Sequence, residues 1–118
     1  MADLDINGER LLASLQELGR IGALEGGGVC RLALTDEDKA GRDWVVTQMK
    51  TLGMNVSVDG IGNVVGVYGG REDGPPVMAG SHIDTVRTGG LYDGNYGVLA
   101  GLEMVRALKD AGIRTRKP

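Results

Sequence analysis

Between Asn7 and about Ala23, apolar residues return at three- and four-residue steps (Leu11, Leu12, Leu15, Leu18, Ile21), which predicts one amphipathic helix behind an asparagine cap. A glycine loop follows from Glu25 to Arg31. Thr35, Asp36, Glu37 and Asp38 then mark a second helix start, a hydroxyl cap with acids in the first turn. That helix should run to about Leu52, with Trp44, Val45, Met49 and Leu52 on its apolar side and Gly53 as its stop. Beyond it the pattern changes to simple alternation. Val56 and Val58 alternate with polar residues in Met54 to Asp59, and the alternation resumes from Asn63 to Tyr68 after Gly60, Ile61 and Gly62, which predicts an antiparallel hairpin. Pro75 and Pro76 bar a helix, so the short apolar run Val77 to Ser81 predicts a buried strand that ends at His82. A third helix is expected from about Asn95 to Ala111, with Val98, Leu102, Val105 and Leu108 on one side. Gly97 and Gly101 lie one turn apart on it and would let it approach a strand closely. The order predicts an α/β fold, helices packed on a mixed β-sheet.

The chain has 118 residues, 42% of them hydrophobic but only 3% aromatic and none of them Phe, so the expected core is small and aliphatic. Its 21 glycines far exceed the usual share and point to many turns and close backbone approaches. They follow no fixed period, which excludes collagen and solenoid repeats. The net charge of -3 comes from intermixed acids and bases, and the one basic cluster, Arg114, Arg116 and Lys117, lies at the C-terminal end. Nucleic-acid binding therefore has little support. Asp3, Asp5 and Glu9 precede any apolar stretch, unlike a signal peptide, and no apolar run reaches membrane-spanning length. With a single cysteine, Cys30, no internal disulfide framework exists, and the expected setting is soluble and cytoplasmic.

The chemistry gathers around the only histidine, His82, which precedes one carboxylate, Asp84, by two residues and another, Asp93, by eleven. Side chains at i and i+2 of a strand share a face, so Asp84 can brace His82 while the other ring nitrogen points outward. A glycine-rich turn would return Asp93 to the same strand end. Imidazole with carboxylate suits a divalent ion, and His82 and Asp93 are the candidate ligands. Each piece also has a plain structural reading. Asp93-Gly94 is a hairpin-turn signal, and Asp93 or Asn95 would serve as a helix cap.

Taken together, Gly80-Ser-His-Ile-Asp-Thr-Val86, Gly89-Gly-Leu-Tyr-Asp-Gly94 and Gly97-Val-Leu-Ala-Gly101 closely resemble the metal-binding stretch of the M20 metallopeptidase superfamily. The nearer match is its amidase and carbamoylase branch: N-carbamoyl-L-amino acid hydrolases, allantoate amidohydrolases and beta-ureidopropionases. Arg31, Thr35, Asp38, Ala40-Gly-Arg-Asp-Trp44, Gly53-Met54 and Asp59-Gly-Ile-Gly-Asn63 extend the resemblance over nearly all of the chain after the first helix. It implies part of a zinc-peptidase-like catalytic domain, with residues 1–118 as its N-terminal metal-binding part.

By that resemblance His82 binds one metal, Asp93 bridges two, and Asp84 is a catalytic-site residue that orients His82. Asn63 and the glycines near it would shape the wall of the site. The implied cofactors are two divalent ions drawn from zinc, manganese, cobalt or nickel. The implied reaction is attack by metal-activated water on an N-carbamoyl-L-amino acid or related ureido acid, releasing amino acid, carbon dioxide and ammonia. The resemblance also implies that the Glu-Glu pair with the general base, two further His ligands and a dimerisation domain lie beyond Pro118. The 118-residue chain by itself is then expected to be inactive. Relatives of full length are expected to be homodimers. A dipeptidase or aminoacylase is the alternative substrate assignment, and a non-catalytic module that self-associates through exposed sheet edges is the alternative of another class.

Overall fold

Asn7 does cap the first helix: in the computed structural model, which describes residues 3–118, its side-chain oxygen accepts the Arg10 N–H at 3.0 Å. Helix α1 (Gly8–Leu18) is shorter than the apolar stripe. After Leu18 the chain tightens into i to i+3 bonds, Arg20 to Glu17 and Ile21 to Leu18, and Gly22 turns it away at φ 84°. Ile21 still packs on the core, but Leu12, counted in the stripe, is half exposed. Helix α2 (Asp36–Thr51) begins as expected, with Thr35 Oγ1 accepting from the Asp38 N–H, and Gly53 ends it with φ 79°.

The hairpin forms from β1 (Asn55–Val58) and β2 (Val64–Val67), antiparallel, with Val56 opposite Gly66 and Val58 opposite Val64. Asp59 builds the turn. Its carboxylate accepts from the Ile61 and Asn63 N–H groups and from the Asn63 amide, and those bonds hold its pKa below the usual carboxylate range. Gly66 is needed where it sits, because a Cβ there would stand 2.8 Å from Met49 Sδ on α2.

The expected third strand does not form. Val77 to Ser81 pairs with neither strand of the hairpin, the Val77 N–H donating instead to the Pro118 carbonyl at 3.0 Å, and Val77 and Met78 are 87% and 76% exposed rather than buried. A ladder needs a neighbour about 4.8 Å away. Here Val65 and Val67 of β2 and Val77, Met78 and Met104 line a cleft of about 530 Å³ instead of pairing. The sheet is thus a two-stranded antiparallel hairpin, not a mixed sheet, although the architecture remains α/β, helices packed on a small sheet.

Helix α3 (Asp93–Asp110) starts two residues earlier than its apolar pattern suggested. It packs on α1, while α2 packs on the hairpin, and Leu11, Leu15, Leu18, Val45, Leu99 and Leu102 form the buried centre among the three helices. The α1–α3 seam is polar at one end. Glu103, fully buried, takes a two-pronged bond from Arg10 at 2.9 and 2.7 Å and a third from the Asn7 N–H. Among the described residues, no helix is long and apolar enough to cross a membrane.

Candidate metal centre

Three glycines on one side of α3 decide where His82 can sit. The segment before His82 passes the helix so that Cβ atoms at Gly101 and Gly97 would lie 3.8 Å from Ala79 Cβ and 2.8 Å from Ser81 Cβ. At Gly94 an added Cβ would come within 2.5 Å of both Cε1 and Nε2 of His82. The expected close approach of α3 to this segment is therefore present, though the segment is no strand. It lays the imidazole over the first turn of α3.

The sequence-predicted site residues converge there. His82 Nδ1 lies 3.2 Å from Asp84 Oδ1 and 3.0 Å from the Asp84 carbonyl oxygen, and Nε2 lies 4.0 Å from Asp93 Oδ2. Both groups near Nδ1 are acceptors, as is the Asp93 carboxylate that Nε2 faces, so the ring lies between oxygen acceptors on both sides. Asp93 is the first residue of α3. The cap position belongs to Tyr92, and no side chain makes a capping bond. Asn95 does not cap either: its amide donates to the Leu91 carbonyl and its oxygen accepts from Arg31. The structural readings of Asp93 and Asn95 as caps are thereby removed, and the Asp93 carboxylate stands at the positive end of the helix.

The imidazole of His82 and the carboxylate of Asp93 are donor types that suit a divalent ion. Their 4.0 Å separation is within the sum of ordinary zinc–nitrogen and zinc–oxygen distances, each about 2.0–2.2 Å, so one ion can reach both. All three side chains are about half exposed, which leaves the site open to solvent and ligand. Among the described residues, no set of three or more His, Cys, Asp and Glu side chains is arranged to hold an ion. Asp84 stands behind the ring, not beside Asp93. A groove of about 340 Å³ opens next to the site, lined by His82, Asp84, Ser81, Arg42, Gly62 and Asn63. Asn63 is thus a wall residue.

The loop from Asp84 to Asp93 is closed by backbone bonds. Val29 and Gly89 exchange N–H to carbonyl bonds at 2.9 Å, and Thr85, buried, bonds through Oγ1 to the Val29 carbonyl. Gly89 is close to Thr85, where a Cβ would meet the threonine Cβ at 2.8 Å. Two contributors carried no assigned role in the sequence reading, Gly94 and Arg31. The signal for Arg31 was a charged residue set in the apolar run Val29-Cys-Arg-Leu-Ala33, where burial of its side chain was to be expected. Burial pushes its pKa down, opposed by the Asp38 and Asp84 carboxylates.

The α/β scaffold thus places one imidazole between two carboxylates at a glycine-lined helix start, and comparison with known proteins shows what the chain as a whole resembles. The chain is 42% identical over 114 residues to an N-carbamoyl-L-amino acid amidohydrolase of Geobacillus stearothermophilus, covering 96% of this chain and 28% of that protein. It is 41% identical over 97 residues to an allantoate amidohydrolase of Bacillus subtilis (strain 168), covering 81% of this chain and 24% of the other. The structure superposes on a hydantoinase/carbamoylase family amidase from Burkholderia multivorans with a TM-score of 0.96 and 52% identity, covering 98% of this chain and 28% of that one. No family model matches the chain. It is homologous to the hydantoinase/carbamoylase amidases and spans little more than a quarter of the length of the curated relatives it matches.

Proposed function

We propose that the chain is the N-terminal part of the catalytic, metal-binding domain of an amidohydrolase that cleaves the carbamoyl C–N bond of N-carbamoyl-L-amino acids or related ureido acids. The observation that carries this reading is one imidazole held between two carboxylates, Asp84 on Nδ1 and Asp93 facing Nε2. In it, His82 and Asp93 hold divalent metal, and Asp84 orients His82 by keeping the proton on Nδ1. When bound, such ions polarise a carbonyl and lower the pKa of water. The donor set of one imidazole and carboxylate suits zinc, manganese, cobalt or nickel. The half-exposed groove beside Asn63 and Arg42 admits a small polar substrate without first opening the core. A single free cysteine fits a reducing, cytoplasmic setting.

A chimera tests the assignment. Residues 3–118, placed in the Geobacillus stearothermophilus amidohydrolase in exchange for its matching segment, are expected to sustain hydrolysis of an N-carbamoyl-L-amino acid. His82→Ala or Asp93→Ala in that chimera should remove at least about 100-fold of kcat/KM, because loss of either ligand strips metal stabilisation worth several kcal/mol. A folded chimera that is active with dipeptides and inert towards carbamoyl substrates would move the assignment to the dipeptidases.

One observation favours a second reading of the 118-residue chain by itself, as a module that self-associates. The apolar cleft between β2 and Val77–Met78 leaves Val65, Val67, Val77, Met78 and Met104 at 36% exposure or more. Surface of this kind adjoining an unpaired strand edge tends to find a partner. Light scattering is expected to show dimers or larger species that dissociate on Met78→Lys. A monodisperse monomer would dismiss this reading.

A further inference from the structure

Arg31 is fully buried, and its side-chain bonds go to the backbone and an amide around the candidate centre. Nε donates to the Ile83 carbonyl at 2.8 Å, Nη1 to the Leu18 and Ile21 carbonyls at 3.0 and 2.6 Å, and Nη2 to Asn95 Oδ1 at 3.0 Å. Its backbone completes the grip: the N–H donates to Thr85 Oγ1 and the carbonyl accepts the Thr85 N–H, each at 2.8 Å. Ile83 and Thr85 flank Asp84, and Asn95 lies two residues past Asp93. One residue thus ties both walls of the site to each other and to the end of α1. Burying a guanidinium is costly unless its donors are taken, and carbonyl acceptors alone do not require a cation. What arginine supplies here is a rigid planar fork that reaches three chain segments at once.

We infer that Arg31 is a positioning residue of the candidate metal centre, setting the distance between the His82–Asp84 segment and the start of α3 and so the 4.0 Å gap from His82 Nε2 to Asp93 Oδ2. This rests on the assignment of His82 and Asp93 as ligands. A purely structural arginine would cost stability when replaced and leave the ligands where they are. Gly41 packs against the arginine stem, where an added Cβ would stand only 2.9 Å from Cδ, so the guanidinium has little room to re-aim if one acceptor is lost.

The test uses the 118-residue chain, zinc chloride as the probe, and the single histidine as a reporter, since its imidazole gives one set of proton resonances. Arg31→Lys, Arg31→Met and Asn95→Ala are compared with Arg10→Met, which breaks the α1–α3 seam away from the site. The Arg31 and Asn95 variants should bind zinc roughly 10–100-fold more weakly and shift the His82 resonances in metal-free protein, as expected for loss of a residue supporting a ligand. Arg10→Met should lower Tm comparably and change neither. Asn95→Ala keeps the bonds to α1, so it reports on positioning if both Arg31 variants fail to fold. Folded Arg31 or Asn95 variants with wild-type zinc affinity and unmoved His82 resonances would overturn the positioning role alone. Wild-type protein that binds no zinc, or binds it as tightly after His82→Ala, would overturn the ligand assignment and this inference with it.

Discussion

Gly94→Ala is expected to remove the metal binding that a two-ligand site provides while changing the stability of the fold only modestly. Alanine near a helix start ordinarily gains up to about 1 kcal/mol over glycine, so propensity alone argues for a stabilised protein. Packing argues the other way. The new Cβ would collide with the His82 carbonyl oxygen and stand 2.5 Å from Cε1 and Nε2, and relieving such an overlap costs about 1–3 kcal/mol. The two effects nearly cancel in Tm, but the relief has to shift the His82 backbone and ring relative to the start of α3, where Asp93 sits. A 4.0 Å gap that one ion just reaches tolerates little widening. Calorimetric zinc titration beside thermal unfolding should therefore show affinity reduced by roughly 100-fold or more with Tm altered by a few degrees. Retained affinity in folded Gly94→Ala would show that His82 is not held by the α3 glycines.

Glu103→Ala should be among the most destabilising single changes in the chain, by about 3 kcal/mol. The carboxylate is 1% exposed and satisfies Arg10 through two bonds and the Asn7 N–H through a third, while Arg106 Nη1 approaches to 3.9 Å. Removing it leaves Arg10 Nε and Nη2 and the Asn7 N–H without their acceptor, while Arg10 Nη1 keeps Asp110 and Arg106 keeps Ser14 and Gln48. Arg10 is one-third exposed and regains some water, which keeps the loss at the lower end of the range for a broken buried pair. The same contact sets an acid limit. The Arg10 hydrogen bonds hold the Glu103 pKa below its ordinary value against the opposing effect of burial. The folded pKa is depressed, so this stabilisation is fully present above the unfolded value of about 4.3 and is lost as pH falls through the folded one. Urea unfolding between pH 7 and pH 3 should show the decline, and Glu103→Gln should flatten it. An unchanged slope in the glutamine variant would assign the acid limit to other carboxylates.

The helices were legible because each combines an apolar repeat with chemical punctuation at its ends. Asn7, Thr35 and Gly53 act locally, within one turn of their own backbone, so they behave in the structure as they read in the sequence. The hairpin was legible for the same reason, its register being set by the alternation and by Asp59 in the turn. The segment Val77 to Ser81 misled. Its apolar residues read as buried, yet burial depends on what lies across the cleft from β2, and a local pattern carries no such information. Helix α1 was overextended because Ile21 stays on the core through a tightened turn that keeps the apolar spacing without the helix.

For the site, the sequence by itself determined the donors. One imidazole with carboxylates two and eleven residues on, separated by a glycine-rich turn, restricts the chemistry to a metal, a cap or a turn. Only the tertiary structure removed the cap reading. It placed Tyr92 rather than Asp93 at the cap, turned Nδ1 to Asp84 and Nε2 to Asp93, and laid the ring on Gly94. It also recruited Arg31, more than fifty residues from His82 along the chain, to join the two walls. Residue types and short spacings are carried by covalent connectivity, whereas distances between remote segments exist only once the core of α1, α2 and α3 has closed around them.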